Sequence, residues 1–157
     1  MKMKNEKISE ENIKELVDKF YGKVRQNPKL SYLFEGKIGK TSEEWQPHLQ
    51  KMYDFWSSVM ISSGKYKGNP MKKHKDLPVF EEEKFDLWLE LFSQTAHEIF
   101  CEEIAEKFVE KSKNIAKSLR YGLYECGCGC VVGFCRYGKF LLNQCNPRPQ
   151  KPAQKAS

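Results

Sequence analysis

The feature that most constrains the fold is a helical spacing of apolar residues that recurs from residue 10 to residue 124. Steps of three and four place such residues on one face of an α-helix. The first stretch, residues 10–26, carries Ile13, Leu16, Val17, Phe20 and Val24. No alternating strand pattern precedes residue 126. The spacing therefore predicts an all-α domain built from five or six helices of unequal length.

Capping residues and prolines predict where these helices begin and end. Ser9 suits the N-cap of the first helix, and Asn27-Pro28 ends it, because a residue before proline avoids helical geometry. Thr41 and Glu44 form a capping box, which begins a helix that should reach about residue 63. The remaining predicted helices are residues 30–34, 71–75, 81–100 and 102–124.

Pro47 lies inside the helix that starts near Thr41. Proline removes one backbone hydrogen bond, so we expect this start to be kinked or 3₁₀-helical.

The composition changes abruptly at residue 126. Residues 126–157 contain five of the six cysteines, five Lys or Arg residues and no acidic residue. The other 22 of the 27 basic residues are balanced by 21 acidic ones, so the net charge of +6 belongs to the tail. We predict a helical domain at 1–125 and an irregular or disordered Cys-rich basic tail at 126–157, with no nucleic-acid partner.

Membrane and export signals are absent from the sequence. No apolar run approaches the roughly 18 residues of a membrane span. The N-terminus changes from basic to acidic without the apolar region of a signal peptide. We therefore expect a cytoplasmic protein with no membrane partner.

Histidine provides the best lead to chemistry, because the sequence lacks the common hydrolase, zinc-protease and phosphate-loop motifs. His48 shares one predicted helix face with Met52, Phe55, Trp56 and Val59. This face is either a ligand-binding surface or a core face with a polar residue at its margin; most such stripes are core.

His74 lies in a lysine-rich turn and is either an exposed basic residue or a metal ligand. A single histidine cannot complete a zinc site, which takes three or four protein ligands. It can be the only protein ligand of a haem, since the porphyrin supplies the other four. The scarcity of ligands therefore favours haem over zinc.

Tyr21 and Trp88 each combine an apolar body with one hydrogen-bond donor. Both fit a polar ligand pocket, and both fit ordinary amphipathic packing.

These residues occur in an order that resembles the group III truncated haemoglobins, over about residues 10–124. The stretches that carry the resemblance are Phe20-Tyr21, Ser42-Glu43-Glu44-Trp45-Gln46-Pro47-His48, Phe55-Trp56, Lys73-His74-x-Asp76-Leu77-Pro78-x-Phe80 and Phe85-x-x-Trp88-x-x-x-Phe92.

The resemblance implies a shortened globin fold, with two helices packed over two around one haem b. It places His74 as the proximal iron ligand and Tyr21, His48 and Trp88 as distal residues. Lys73 is either a partner of a haem propionate or a solvated lysine. The residues implied to line the porphyrin are Phe34, Met52, Phe55, Leu77, Phe80 and Phe92.

The implied function is the binding of O2, and of NO, CO or peroxide, with the ligand stabilised or activated rather than delivered. Nitric oxide dioxygenase-like or peroxidase-like activity, with an unidentified reductase as partner, is compatible with this. The alternative is a haem-free or sensory helical module that acts through a partner and does not need Tyr21, His48 or Trp88.

The tail departs from the family pattern. Its spacing, C-x-C-x-C-x₄-C from Cys126 to Cys135, matches none of the usual zinc or iron–sulfur motifs. Bound metal, redox activity, lipid modification and a non-functional extension all stay open.

Overall fold

The computed structural model describes residues 3–78 and 80–125. The predicted tail at 126–157 and its cysteine chemistry lie outside the described residues. The α-helices are α1 (Glu10–Gln26), α2 (Pro28–Glu35), α3 (Ser42–Ile61), α4 (Pro70–Lys75), α5 (Lys84–Ile99) and α6 (Glu102–Arg120). A π-helical turn, Tyr121–Glu125, continues α6.

Four long helices form the core as two pairs. α5 packs against α6, α3 packs against α1, and α1 also packs against α5, which joins the pairs. The apolar face of α1 is completely covered in the process, including Ile13, Leu16 and Phe20. This arrangement is the two-over-two organisation that the resemblance implied. Within residues 3–78 and 80–125 the only β pairing is an isolated bridge between Asn5 and Phe100.

The predicted helix starts at residues 10 and 41 are confirmed by their caps. The Ser9 hydroxyl accepts from the backbone N–H of Asn12 at 3.3 Å. Thr41 and Glu44 form a reciprocal capping box, with the Glu44 carboxylate accepting from the Thr41 N–H at 2.9 Å. α3 is α-helical through Pro47, so the expected 3₁₀ start is not seen.

Two predicted boundaries differ from the structure by three or more residues. α5 begins at Lys84 rather than Glu81, because Glu81–Glu83 form a turn whose carbonyls accept hydrogen bonds from N–H groups three residues later. α6 ends at Arg120, and the last residues of the predicted helix take the wider π-helical form. The spacing of apolar residues does not predict either boundary.

None of the helices in the described part of the chain is long and apolar enough to cross a membrane.

Gly22 offers a test of helix energetics, because it lies inside α1 and a Cβ there would meet nothing within 4 Å. We expect Gly22→Ala to raise the free energy of unfolding by about 0.5–1 kcal/mol, measured by urea denaturation, since alanine loses less backbone entropy. Gly39→Ala is the contrasting variant and should destabilise. Gly39 has a φ of +116°, and a Cβ would lie 2.3 Å from the Glu44 carboxylate. Equal effects at the two positions would show that backbone conformation does not govern these substitutions.

Candidate functional site

An aromatic cluster connects α1, α2 and α3. The Tyr21 ring meets the His48 ring edge-on at 5.1 Å between centroids and lies 6.0 Å from Phe34. Trp45 completes the cluster, 5.8 Å from Tyr21 and 5.4 Å from His48. The Trp45 indole N–H donates to the Gly39 carbonyl at 3.1 Å, which fixes the ring beside the other three. The structure therefore brings together two of the predicted distal residues, Tyr21 and His48.

The Tyr21 side chain is a protonated donor in this cluster. It is only 5% exposed, and burial raises its pKa well above the ordinary value of a tyrosine. Its hydroxyl makes no hydrogen bond to any side chain or backbone group in residues 3–78 or 80–125. A buried tyrosine usually has a partner, so this donor is available to a ligand.

His48 carries the clearest sign of a missing partner. Its Nε2 is completely covered and has no hydrogen-bond partner among the described residues. Burial, with smaller contributions from the positive charges of Lys51 and His74, lowers the pKa of His48 to about 4. The ring is therefore neutral near pH 7. Buried polar atoms without partners are rare in proteins, so an orphan of this kind points to a bound group that completes it.

The hydrogen bond of His74 leaves its Nε2 as the ring nitrogen that could bind a metal. Its Nδ1 lies 2.7 Å from the Pro70 carbonyl oxygen, which can only accept, so Nδ1 carries the proton in the neutral ring. Burial lowers the His74 pKa, and this effect outweighs the opposing hydrogen bond. Nε2 consequently has a free lone pair at neutral pH. A backbone carbonyl at the second nitrogen is the usual partner of a metal-binding histidine.

His97 shows what a structural histidine looks like in this chain. Its Nδ1 also lies close to a carbonyl, that of Ser93, at 2.8 Å. Its Nε2, however, is occupied by Glu106 at 3.0 Å and Glu102 at 3.5 Å. The hydrogen bond to Ser93 and the two carboxylates raise its pKa. His97 is thus an ion-pair partner at the end of α5.

Trp88, the third predicted distal residue, lies in a stack of rings next to Tyr21. Phe20 meets Trp88 edge-on at 5.2 Å and Tyr21 at 4.9 Å, so the two donors flank one buried ring. Phe92 is fully buried, with Trp88 at 5.4 Å on one side and Trp56 at 4.7 Å on the other. Trp88 itself is only half-buried.

The other predicted lining residues differ in burial. Phe34, Met52, Phe55 and Phe80 are half-buried against the core. Leu77 is also half-buried, and Lys73 is exposed.

Two residues beside the site, Trp45 and Phe85, belong to the stretches that carry the resemblance, but the sequence-based prediction assigned neither of them a role in the site. Trp45 anchors the cluster around Tyr21 and could have been found from its position three residues before His48 on the same helix face. Phe85 is buried, with its ring 6.4 Å from that of His74 and inclined by only 22°. Its proximity to a residue eleven positions earlier has no sequence signal.

Comparisons with known proteins show to which family the chain belongs. A family model described as bacterial-like globin matches residues 6–120. The group 3 truncated haemoglobin ctb of Campylobacter jejuni is 38% identical over 125 residues, which cover 80% of this chain and 98% of that protein. The crystal structure of a group III truncated haemoglobin from Campylobacter jejuni superimposes with a TM-score of 0.76 at 35% identity, covering 88% of this chain and all of that one. The chain belongs to the group III truncated haemoglobins.

As a truncated haemoglobin, the protein uses haem as its cofactor and binds small gaseous ligands such as dioxygen. The predicted all-α globin fold is likewise confirmed. The residues described above fit a haem. His74 presents a neutral, oriented Nε2, and the covered Nε2 of His48 lacks a partner that a bound group would supply.

The depressed pKa of His48 predicts a loss of stability in acid. The unfolded chain takes up a proton near pH 6.5, whereas the folded chain does so only near pH 4. Unfolding therefore becomes easier as the pH falls through this window, by about 2 kcal/mol between pH 7 and pH 5 from this residue. Urea denaturation at both pH values should show a smaller difference for His48→Leu than for the wild type. The same difference in both proteins would contradict the assignment.

Proposed function

We propose that His74 is the axial ligand of the haem and that Tyr21, His48 and Trp88 line its distal side. The observation that carries this proposal is the contrast among the three histidines. His74 alone combines a protonated Nδ1, held by the Pro70 carbonyl, with an Nε2 that is bound to none of the described residues and a pKa below its ordinary range. His97 has its Nε2 occupied, and His48 lies among the distal rings.

The distal residues would act as hydrogen-bond donors and as a barrier to water. Haem iron supplies reversible binding and activation of diatomic ligands, which gain negative charge in the process. Tyr21 and Trp88 each have one N–H or O–H donor that would stabilise such charge. Hydrogen bonds to charged groups contribute about 1.5–3 kcal/mol each. Each 1.4 kcal/mol slows dissociation roughly tenfold, so two donors would hold the ligand tightly.

Tight retention suits ligand activation better than delivery. We therefore favour chemistry on a bound ligand, such as nitric oxide dioxygenation or peroxide turnover supported by a reductase. His48 is neutral at physiological pH, so its imidazole would offer the bound ligand a hydrogen bond without bringing a positive charge into the site.

The axial ligand is tested by haem content. The full-length His74→Gly variant should lose most of its Soret absorbance, and imidazole in the buffer should restore it by replacing the missing ring. His97→Ala is the matched control, since it removes a histidine with the same Nδ1–carbonyl contact, and should retain haem. Retention by His74→Gly combined with loss in His48→Leu would assign the ligand to His48 and refute the proposal.

The distal role is tested by oxygen dissociation. Tyr21→Phe removes only the hydroxyl and should release oxygen about 10- to 100-fold faster by stopped-flow measurement. Tyr53→Phe is the control, because the Tyr53 hydroxyl is already bonded to the Asp18 carboxylate. Release at the wild-type rate in Tyr21→Phe would show that the hydroxyl does not hold the ligand.

A further inference from the structure

The helix that carries His74 is too short to orient a side chain by itself. α4 has six residues, and Met71 is its one buried side chain. Isolated helices of this length are unstable in water, so their geometry comes from tertiary contacts. In the described part of the chain, α4 packs against the π-helical turn Tyr121–Glu125. The orientation of His74 therefore depends on residues at the end of α6.

Phe85 provides the flat surface beside His74. The two rings are inclined by 22° with their centroids 6.4 Å apart. The Pro70 carbonyl accepts a hydrogen bond from Nδ1 at one edge of the imidazole, and the Phe85 ring lies nearly parallel to the imidazole on the side of α5. Phe85 also meets Phe80 at 5.7 Å, so the ring is buried on several sides.

Arg120 forms ion pairs with side chains that precede and follow Phe85 in the sequence. Its Nε donates to Glu82 at 2.9 Å and its Nη1 donates to Asp86 at 2.8 Å. The guanidinium lies over the Phe85 ring, 6.0 Å from the centroid. The rigid fork of arginine suits two carboxylates at once, which a lysine ammonium cannot reproduce.

Tyr124, in the π-helical turn, also contacts the residues around Phe85. Its hydroxyl donates to the Phe80 carbonyl at 2.9 Å, and its ring stands edge-on to Phe85 at 6.4 Å. π-Helical turns are frequent at functional sites, where they shift a side chain out of the regular helical register.

We propose that Phe85, held in place by Arg120 and Tyr124, sets the plane of the His74 imidazole relative to the haem. The three side chains are positioning residues for the axial ligand. The inference rests on the proposed function, in which His74 is that ligand. Residues at the end of α6 and in the π-helical turn thereby influence the iron–histidine bond.

The iron–histidine stretching band in resonance Raman spectra of the full-length ferrous holoprotein tests the proposal. Arg120→Gln should shift and broaden this band, because Phe85 and the imidazole gain freedom. It should also speed haem loss to a haem-scavenging apoprotein by roughly three- to tenfold. Arg120→Lys should give an intermediate shift, since one ion pair can persist. Tyr124→Phe, which removes only an exposed hydroxyl, should shift the band in the same sense.

Lys23→Met is the matched control. It breaks a 2.6 Å ion pair with Glu98 between α1 and α5 and touches none of the three positioning residues. We expect the control to leave the band unchanged even where its unfolding midpoint falls as far as that of Arg120→Gln. Equal spectra for Arg120→Gln and Lys23→Met would overturn the inference.

His74→Gly separates this proposal from the assignment of the ligand. Loss of the wild-type band in His74→Gly, together with no shift in Arg120→Gln, refutes the positioning role alone. Persistence of the band in His74→Gly refutes the ligand assignment and the positioning role with it.

Discussion

The buried face of α1 is the constraint on which the rest of the structure depends. This helix packs against both α3 and α5, so the two helix pairs meet through it. Phe20 lies at the centre of that contact, with the rings of Tyr21, Trp88 and Phe92 all within 5.3 Å. Phe20 therefore both fills the core between α1 and α5 and separates Tyr21 from Trp88, the two proposed distal donors. Because the core is closely packed, a substitution of Phe20 should shift the side chains of both Tyr21 and Trp88.

The environment of each histidine, rather than its presence, decides its chemistry. Burial without a partner keeps His48 neutral, and burial with one backbone partner keeps His74 neutral and oriented. Two carboxylates favour the charged form of His97. Histidine is thus neutral at two positions and favoured in its charged form at the third, as expected when desolvation and local charge compete for control of a pKa.

The two sides of the proposed site are supported in different ways. Long helices and a ring cluster hold Tyr21 and His48, with Trp45 anchored by its hydrogen bond to Gly39. His74 lies on the six-residue helix α4, which packs against the π-helical turn Tyr121–Glu125, more than forty residues further along the chain. The proposed distal residues are thus held by long core helices, whereas the proposed iron ligand lies on a short helix that depends on its contact with the π-helical turn.

Much of this protein was determined by the sequence alone. Apolar spacing and the caps at Ser9 and Thr41 set the helices, because these signals act within a few residues. The order of His48, His74 and the aromatic residues indicated the family. The tertiary structure decided what depends on distant pairs: the orphaned Nε2 of His48, the Phe85 ring beside His74 and the ion pairs of Arg120 with Glu82 and Asp86. Such contacts join residues that no local pattern relates, so only the folded chain brings them together.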